Sequence, residues 1–277
     1  MRPTTSRPPA VAGMFYPREK DALRAQVQRL LSHAAPSALA AEPASDLPAA
    51  PPKAVLVPHA GYVYSGPVAA SAYRLLSPLR GQIERVVLIG PAHRLYVPLV
   101  ASSGFARFET PLGGLDVDLD VLSRADPRLI RDSPQAHIPE HCLEVQLPFL
   151  LEVLGPVRIV PLLVSDAPPE QVGAVLDALW GGPETLLVVS SDLSHYLPYT
   201  VARRVDADTA ERIVALDTSL DGDQACGCAA INGLSWLARK KGLRLRLLDL
   251  RNSGDTAGPR TEVVGYAAFR IDPSPTP

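Results

Sequence analysis

Apolar and polar positions along the chain follow two different periods, and these periods predict the order of the elements. Short, nearly continuous apolar runs predict strands that are buried on both faces. Stretches with apolar residues every three or four positions predict amphipathic helices. The predicted strands cover 54–58, 85–91, 157–164, 185–191, 243–250 and 262–270, with weaker β-like pieces around 97–102 and 112–118. The predicted helices cover 18–33, 67–79, 140–154, 168–181, 202–217 and 227–241.

The alternation of strands with helices predicts an α/β fold with a mostly parallel sheet covered on both faces. Pro148 is expected to bend the helix predicted over 140–154. Residues 34–52 are rich in Ala, Pro and Ser, which predicts an extended or flexible surface segment. Too little chain precedes this segment to form a core, so we expect a single domain over residues 1–277.

Composition narrows the classes of function. A net charge of −2 and a pI near 6.3 give no basic surface for nucleic acid. No apolar run reaches the roughly 20 residues of a membrane span, and the basic, proline-rich start lacks the apolar stretch of a secretory signal. Three cysteines are too few for a disulfide framework and fit a reducing compartment. We therefore expect a cytoplasmic protein, and no phosphate loop, dinucleotide fingerprint or serine-hydrolase elbow is present.

Histidines and an aspartate follow three of the predicted strands. His59 follows the first strand, His93 follows the second, and Asp192 and His195 follow the strand 185–191. A single histidine at a strand end is more often structural, but ligands of open α/β sheets bind outside the carboxyl ends of the strands. Three such coincidences favour one shared site.

Two further motifs offer ligands or acid–base groups. In "HIPEHCLEVQ", the spacing of Glu140, His141 and Glu144 would place pairs of them on one helix face, although Glu144 could equally be an exposed charge. In "DQACGCAAI", Cys226 and Cys228 lie at a predicted helix start, where the helix dipole favours a thiolate. At least one of these two cysteines is expected to be a small buried residue.

Imidazoles combined with a thiolate or carboxylate bind Fe(II), Zn(II) or Cu, and three protein ligands leave coordination positions open. Asp192 and His195 are candidates for acid–base work, with a helix cap as the alternative role of Asp192. Tyr62, Tyr64 and Tyr196 lie beside the histidines and offer hydroxyl donors or an aromatic pocket wall. Burial of these rings in the core is the alternative.

The order of several motifs resembles one known family. The motifs are "PAVAGMFYP", "PHAGYVYSG", "LIGPAHR", "EHCLEVQLPFL", "SSDLSHY", "ACG" and "SGD" followed by "VVGYAAF". They occur in the order found in Memo-like proteins, whose prokaryotic members are called AmmeMemoRadiSam system protein B. The resemblance runs from Arg7 to Phe269 and implies a three-layer αβα sandwich similar to class III extradiol dioxygenases.

The resemblance also implies roles for individual residues. His59, His93 and Cys226 match the metal-binding positions of the family, and Asp192 and His195 match further pocket residues. The remaining matches surround the substrate pocket: Tyr62, Glu140, His141, Glu144 and Tyr196. Many relatives carry a basic residue where this chain has Cys228, which removes a positive charge near the pocket.

Three functions follow from the residues and the resemblance together. The first is a nonheme-iron redox enzyme similar to extradiol dioxygenases, with Fe(II) favoured over Cu or Zn and His195 as the acid–base group. The second is a metal-binding protein without turnover, acting with the radical S-adenosylmethionine and AMMECR-type proteins that accompany this family. The third is a metal-dependent hydrolase with His195 or Glu144 as the base.

Overall fold

The computed structural model describes residues 5–34 and 51–273. The strands are β1 (Ser6–Arg7), β2 (Ala54–Val57), β3 (Arg85–Pro91), β4 (Val100–Ser102), β5 (Arg107–Thr110), β6 (Gly113–Asp116), β7 (Ile130–Asp132), β8 (Arg158–Val164), β9 (Thr185–Ser190), β10 (His195–Leu197), β11 (Leu243–Asn252) and β12 (Val263–Pro273). The α-helices are α1 (Lys20–His33), α2 (Gly66–Tyr73), α3 (Leu119–Leu122), α4 (Pro134–His137), α5 (Leu147–Leu154), α6 (Pro169–Ala178), α7 (Tyr199–Val214), α8 (Cys228–Lys241) and α9 (Ser253–Thr256). Short 3₁₀ helices cover Arg74–Leu79 and Glu144–Gln146.

The main sheet confirms the prediction of a mostly parallel arrangement. Its strands follow the order β10-β12-β2-β9-β3-β8-β4-β7, and β11 pairs with β12. The four central strands β2, β9, β3 and β8 run parallel. They are buried along nearly their whole length, which explains why their sequences show no polar alternation. Strand β12 runs antiparallel to β2 and extends the sheet towards β11.

Alternate residues of each central strand face two separate apolar layers. Val55 and Val57 of β2 pack with α1, α2 and α5 on one face, while Ala54 and Leu56 pack with α6, α7 and α8 on the other. The two helical layers and the sheet form the expected three-layer αβα sandwich. None of the helices in the described part of the chain combines the length and apolar character needed to cross a membrane.

The helix predicted over 140–154 was wrong in its first half. The chain forms a loop up to Leu143, a 3₁₀ turn over Glu144–Gln146, and a helix only from Leu147. Pro148 therefore lies in the first turn of α5, where its missing N–H costs nothing, and does not bend the helix. Glu140 and His141 consequently lie in a loop and share no helix face with Glu144.

A small second sheet of three strands contains the N-terminal strand β1. Strand β1 pairs in parallel with β5, which pairs with β6. The Ala- and Pro-rich segment predicted over 34–52 falls almost wholly on residues 35–50, outside the described residues. The single domain over 1–277 stays a prediction.

Candidate metal site

Loops at the carboxyl ends of three parallel strands bring His59, His93 and Cys226 together. His59 follows β2, His93 follows β3, and Cys226 lies in the turn before α8, beside the end of β9. One ligand atom from each residue lies within 4.8 Å of the other two. Sγ of Cys226 is 3.3 Å from Nε2 of His59, and the His59 and His93 ring centroids are 5.2 Å apart. The strand-end rule therefore predicted correctly that His59 and His93 lie close together, whereas Cys226 does not follow from that rule.

Glu140 orients His93. The Nδ1 atom of His93 lies 2.9 Å from Oε1 of Glu140, and the His93 backbone N–H donates to Oε2 at 2.7 Å. The backbone N–H groups of His141 and Cys142 donate to Oε1 at 2.8 and 3.1 Å. With the ring as donor from Nδ1, the Nε2 lone pair of His93 is free, as in a carboxylate–histidine–metal arrangement.

His93, Glu140 and His141 form a second group of atoms within 4.8 Å of one another. The Glu140 carboxylate already accepts four hydrogen bonds, and two of them come from His93. The His141 ring packs against three other rings, with its centroid 4.9 Å from that of His93, 4.8 Å from that of Phe15 and 5.5 Å from that of His59. The His141 ring thus borders the cluster.

Cys226 is held by the end of β9. Its sulfur lies 3.9 Å from Ser191 Oγ and 3.7 Å from the Asp192 carbonyl oxygen. Gly227 permits this approach, since a Cβ there would lie 2.7 Å from Cβ of Ser191. The backbone N–H of Gly227 donates to Ser191 Oγ at 2.9 Å.

The charges of the cluster are set mainly by burial. Burial, together with the neighbouring His93, lowers the pKa of His59 well below its usual range, so that its imidazole is neutral at pH 7. Burial raises the pKa of Glu140, but hydrogen bonding and charge from His93 outweigh it and hold that pKa low overall. Burial and then Asp192 raise the pKa of the Cys226 thiol, opposite to the effect expected from the helix start. A divalent ion would supply the positive charge that a thiolate needs here.

Asp192 lies in the loop that follows β9, and His195 is the first residue of β10. Oδ1 of Asp192 accepts a 2.7 Å hydrogen bond from the His59 backbone N–H, and burial raises the pKa of this carboxyl. No helix follows Asp192, because His195 begins β10, so Asp192 is not a helix cap. His195 lines a cavity of about 600 Å³ together with Arg212, Asp221 and Asp223.

Two of the predicted pocket residues lie away from the cluster. The Tyr62 ring packs on Tyr16 and Phe149 in the core, and its hydroxyl donates to the Val145 carbonyl at 2.6 Å. Glu144 is fully buried and receives hydrogen bonds at 2.6 to 3.0 Å from groups of the N-terminal segment, namely Arg7, Ala10, Val11 and Tyr16.

Tyr196 is 71% exposed and has φ +59°, an unusual backbone conformation for a residue other than glycine. It lies directly after His195, and the two ring centroids are 5.9 Å apart. A role for Tyr196 in a substrate pocket stays a prediction.

Sequence reasoning missed the residues that hold the site from outside. Arg7, which is 1% exposed, donates to the carbonyl oxygens of His137 and Glu140 and to Glu144. The Ser190 hydroxyl contacts Nδ1 of the His59 ring, and the Gln146 amide donates to that hydroxyl and to the Pro58 carbonyl oxygen. Both lie within the quoted motifs, but no local pattern distinguishes a supporting polar residue from an exposed one.

Comparison with known proteins gives consistent relatives. The family model described as Memo-like protein matches residues 7–270. A "MEMO1 family protein" from Desulfurococcus amylolyticus is 33% identical over 280 residues, covering 96% of this chain and 98% of the relative. Similar proteins of the same name from Ignicoccus hospitalis and Pyrobaculum arsenaticum are each 36% identical and cover 96% and 95% of this chain, and 98% of each relative.

Among solved structures, an uncharacterized protein, JW3007 from Escherichia coli K12, matches with a TM-score of 0.46 and 11% identity, covering 78% of this chain and 98% of that one. The family assignment comes from the family model and the full-length relatives, which agree over nearly all of the sequence. The chain belongs to the family of Memo-like proteins.

Proposed function

We propose that this protein binds one divalent metal ion through His59, His93 and Cys226 and acts as a nonheme-iron redox enzyme. The observation that carries the proposal is the convergence of one ligand atom from each residue to within 4.8 Å. Two imidazoles and a thiolate suit Fe(II), with Cu or Zn as alternatives. Fe(II) in such a site supplies a redox couple and open coordination positions.

The surrounding residues support such a site. Glu140 fixes the His93 ring and would strengthen it as a ligand, as carboxylate partners of metal-binding histidines do. Asp192 fixes the backbone at His59. His195 lines a cavity of about 600 Å³ and would carry a proton to or from a molecule bound there.

Exposed apolar side chains support a binding role for this edge of the sheet. Four of the nine exposed large apolar side chains in the described part of the chain lie two to five residues along the sequence from His59 or His93. They are Val63, Tyr64, Leu95 and Tyr96. Apolar residues concentrated around polar groups are typical of ligand-binding or interaction surfaces.

Two other functions remain as outcomes of the test. A metal-binding protein without turnover, acting with a radical S-adenosylmethionine protein, would bind the ion but consume no oxygen. A hydrolase would need a base near the metal. Glu144 is a poor candidate for that base, because its carboxylate is bonded to the N-terminal segment.

Metal content tests the proposal. Metal-free protein is loaded anaerobically with Fe(II), Zn(II) or Cu, and the bound metal is measured by elemental analysis. We expect about one ion per chain in the wild type and a loss of at least tenfold in affinity in His59→Ala, His93→Ala and Cys226→Ala. His33→Ala, on the exposed end of α1, and Cys228→Ala are matched controls and should bind normally.

Metal that survives all three ligand substitutions would contradict the site. Iron-loaded protein is then screened for oxygen uptake with a panel of small aromatic and enediol compounds. Turnover that depends on His195 supports the redox enzyme, whereas stoichiometric iron without turnover supports the second function.

A further inference from the structure

A buried chain of hydrogen bonds runs from Tyr73 through Gln146 and Ser190 to the His59 ring. The hydroxyl of Tyr73 donates to Oε1 of Gln146 at 2.9 Å, and Nε2 of Gln146 donates to Oγ of Ser190 at 2.9 Å. Oγ of Ser190 lies 2.9 Å from Nδ1 of His59. All four side chains are at most 1% exposed, so bulk water supplies no alternative partner.

The orientation of the Gln146 amide follows from a neighbouring group that can only accept a hydrogen bond. The Pro58 carbonyl oxygen, 3.0 Å from Nε2 of Gln146, can only accept a hydrogen bond. The amide nitrogen must therefore face Pro58 and the oxygen must face Tyr73. The second hydrogen of this nitrogen points to Ser190, its other close acceptor.

The single hydroxyl hydrogen of Ser190 is also assigned. The Cys142 carbonyl oxygen lies 2.8 Å from Ser190 Oγ and can only accept, so Ser190 donates to it. Because Gln146 occupies one lone pair of this oxygen, its remaining contact with His59 must be a hydrogen bond donated by the ring.

Nδ1 of His59 therefore carries the proton, and Nε2 presents a lone pair towards Cys226 Sγ at 3.3 Å. We propose that Gln146 and Ser190 are positioning residues that fix His59 in the Nδ1-protonated tautomer. The opposite tautomer would require Ser190 to donate to the ring, which would remove the short hydrogen bond to the Cys142 carbonyl. Gln146 approaches that carbonyl only at 3.4 Å and cannot replace the bond well.

Ser190 and Gln146 fix the proton of His59 on Nδ1, as Glu140 does for His93, but they are uncharged. A carboxylate fixes one candidate ligand, and a hydroxyl held by an amide fixes the other. A neutral partner adds no negative charge beside His59, where the Asp192 carboxyl and the Cys226 thiol are already close. The role assigned to the two residues in metal binding rests on the proposed function, whereas the tautomer itself does not.

The tautomer is measured on the metal-free protein. Long-range ¹H–¹⁵N NMR at pH 7 on protein labelled with ¹⁵N-histidine distinguishes a protonated from an unprotonated ring nitrogen, and His59→Asn identifies the His59 signals. We expect a protonated Nδ1 in the wild type. Ser190→Ala removes the acceptor and should shift the ring towards the Nε2-protonated form, and Gln146→Met should shift it less.

The matched control is Ser71→Ala, which removes a buried serine hydroxyl that bonds Asp249 and does not contact the cluster. It should leave the His59 signals unchanged. Zn(II) affinity, measured by competition with a chelator, should fall about 10- to 100-fold in Ser190→Ala relative to Ser71→Ala. If Ser190→Ala does not fold, the His59 tautomer is still tested by the NMR spectra of the wild type and of Gln146→Met.

The inference is overturned if Nε2 of His59 is protonated in the wild type. It is also overturned if the variants keep both the wild-type tautomer and the affinity of the control. A protonated Nδ1 that changes in the variants, in a protein that binds no metal, would support the tautomer assignment and contradict the proposed function. Metal binding by a protein whose His59 carries its proton on Nε2 would support the proposed function and contradict the tautomer assignment.

Discussion

Asp206 on α7 is a carboxylate that the fold buries against the backbone. It is 2% exposed, it accepts a 3.0 Å hydrogen bond from the Ser194 backbone N–H, and a Cβ at Gly265 would lie 2.2 Å from its Oδ2. Burial raises the pKa of Asp206 to about 6, while the hydrogen bond from Ser194 opposes this effect. The native state therefore holds this proton more tightly than the unfolded chain does.

The sign of the pH effect follows from this difference. The native pKa lies above the unfolded value, so the wild type loses stability as pH rises from about 4 to about 6, by up to roughly 3 kcal/mol. Asp206→Asn has no such titration, so its stability relative to wild type should increase over that interval and then level off. Urea unfolding at pH 4.5 and 7.5 measures this difference in unfolding free energy.

Asp208→Asn, an exposed position on the same helix, is the control. A difference between Asp206→Asn and wild type that is independent of pH would contradict the prediction.

Single residues at strand ends were also the most predictable part of the site. His59 and His93 could be identified because a strand end has a distinctive sequence and a known position at the sheet edge. Gln146 and Ser190 could not, because their hydrogen-bond partners depend on packing between elements. Tyr62 illustrates the same limit, since its neighbour His59 faces the cluster while its own ring lies in the core.

The start of α8 shows how closely two elements must approach to form the cluster. Gly227 precedes the first residue of the helix, and a Cβ there would lie 2.7 Å from Ser191 Cβ and 2.9 Å from the Ser190 carbonyl oxygen. Its φ of −95° is open to any residue, so glycine is needed for space rather than for backbone conformation. The position of Cys226 thus depends on the missing side chain of its neighbour.

Gly227→Ala should push the start of α8 away from β9. We expect a loss of about 1–3 kcal/mol in unfolding free energy, as for other overpacked sites. Metal affinity should fall about tenfold or more, because Cys226 moves with the helix. Gly222→Ala is the control, since nothing lies within 4 Å of a Cβ at that position in the same loop. Equal metal affinity in the two variants would show that the close contact does not position Cys226.

Elements with a simple period were predicted well, and the irregular ones were not. The central strands are buried on both faces, and their apolar runs carry that information directly. The stretch from Glu140 to Gln146 has helical spacing. However, the Glu140 carboxylate accepts a hydrogen bond from His93, and the Glu144 carboxylate accepts one from the N-terminal segment. These long-range contacts outweigh the local helical preference.

At the scale of the whole molecule, the N-terminal segment holds the middle of the chain in place. The guanidinium of Arg7 forms a 2.7 Å ion pair with Glu144 and donates to backbone carbonyls on either side of Ile138. Phe15 packs on the His141 ring at 4.8 Å between centroids. Contacts across more than 120 residues of sequence leave no local signal, which is why this role was not predicted.

Arg7→Met should leave the Glu144 carboxylate buried without its cation. We expect a loss of about 3–5 kcal/mol in unfolding free energy, the usual cost of breaking a buried ion pair on one side. Arg7→Lys keeps the charge but not the forked geometry and should lose less. Arg128→Met, at an exposed ion pair, is the control and should unfold at the same urea concentration as wild type. A stability of Arg7→Met equal to that of this control would contradict the prediction.

The distance in sequence between the candidate ligands has a thermodynamic consequence. His59 and Cys226 are separated by 167 positions, so their side chains meet only after the sheet and both helical layers have assembled. An ion that binds this set binds the native state and not the unfolded chain, and its binding free energy adds to the stability of the fold. At a free metal concentration 100 times the Kd, the addition is about 2.7 kcal/mol. The melting temperature of the protein would then report the metal supply around it.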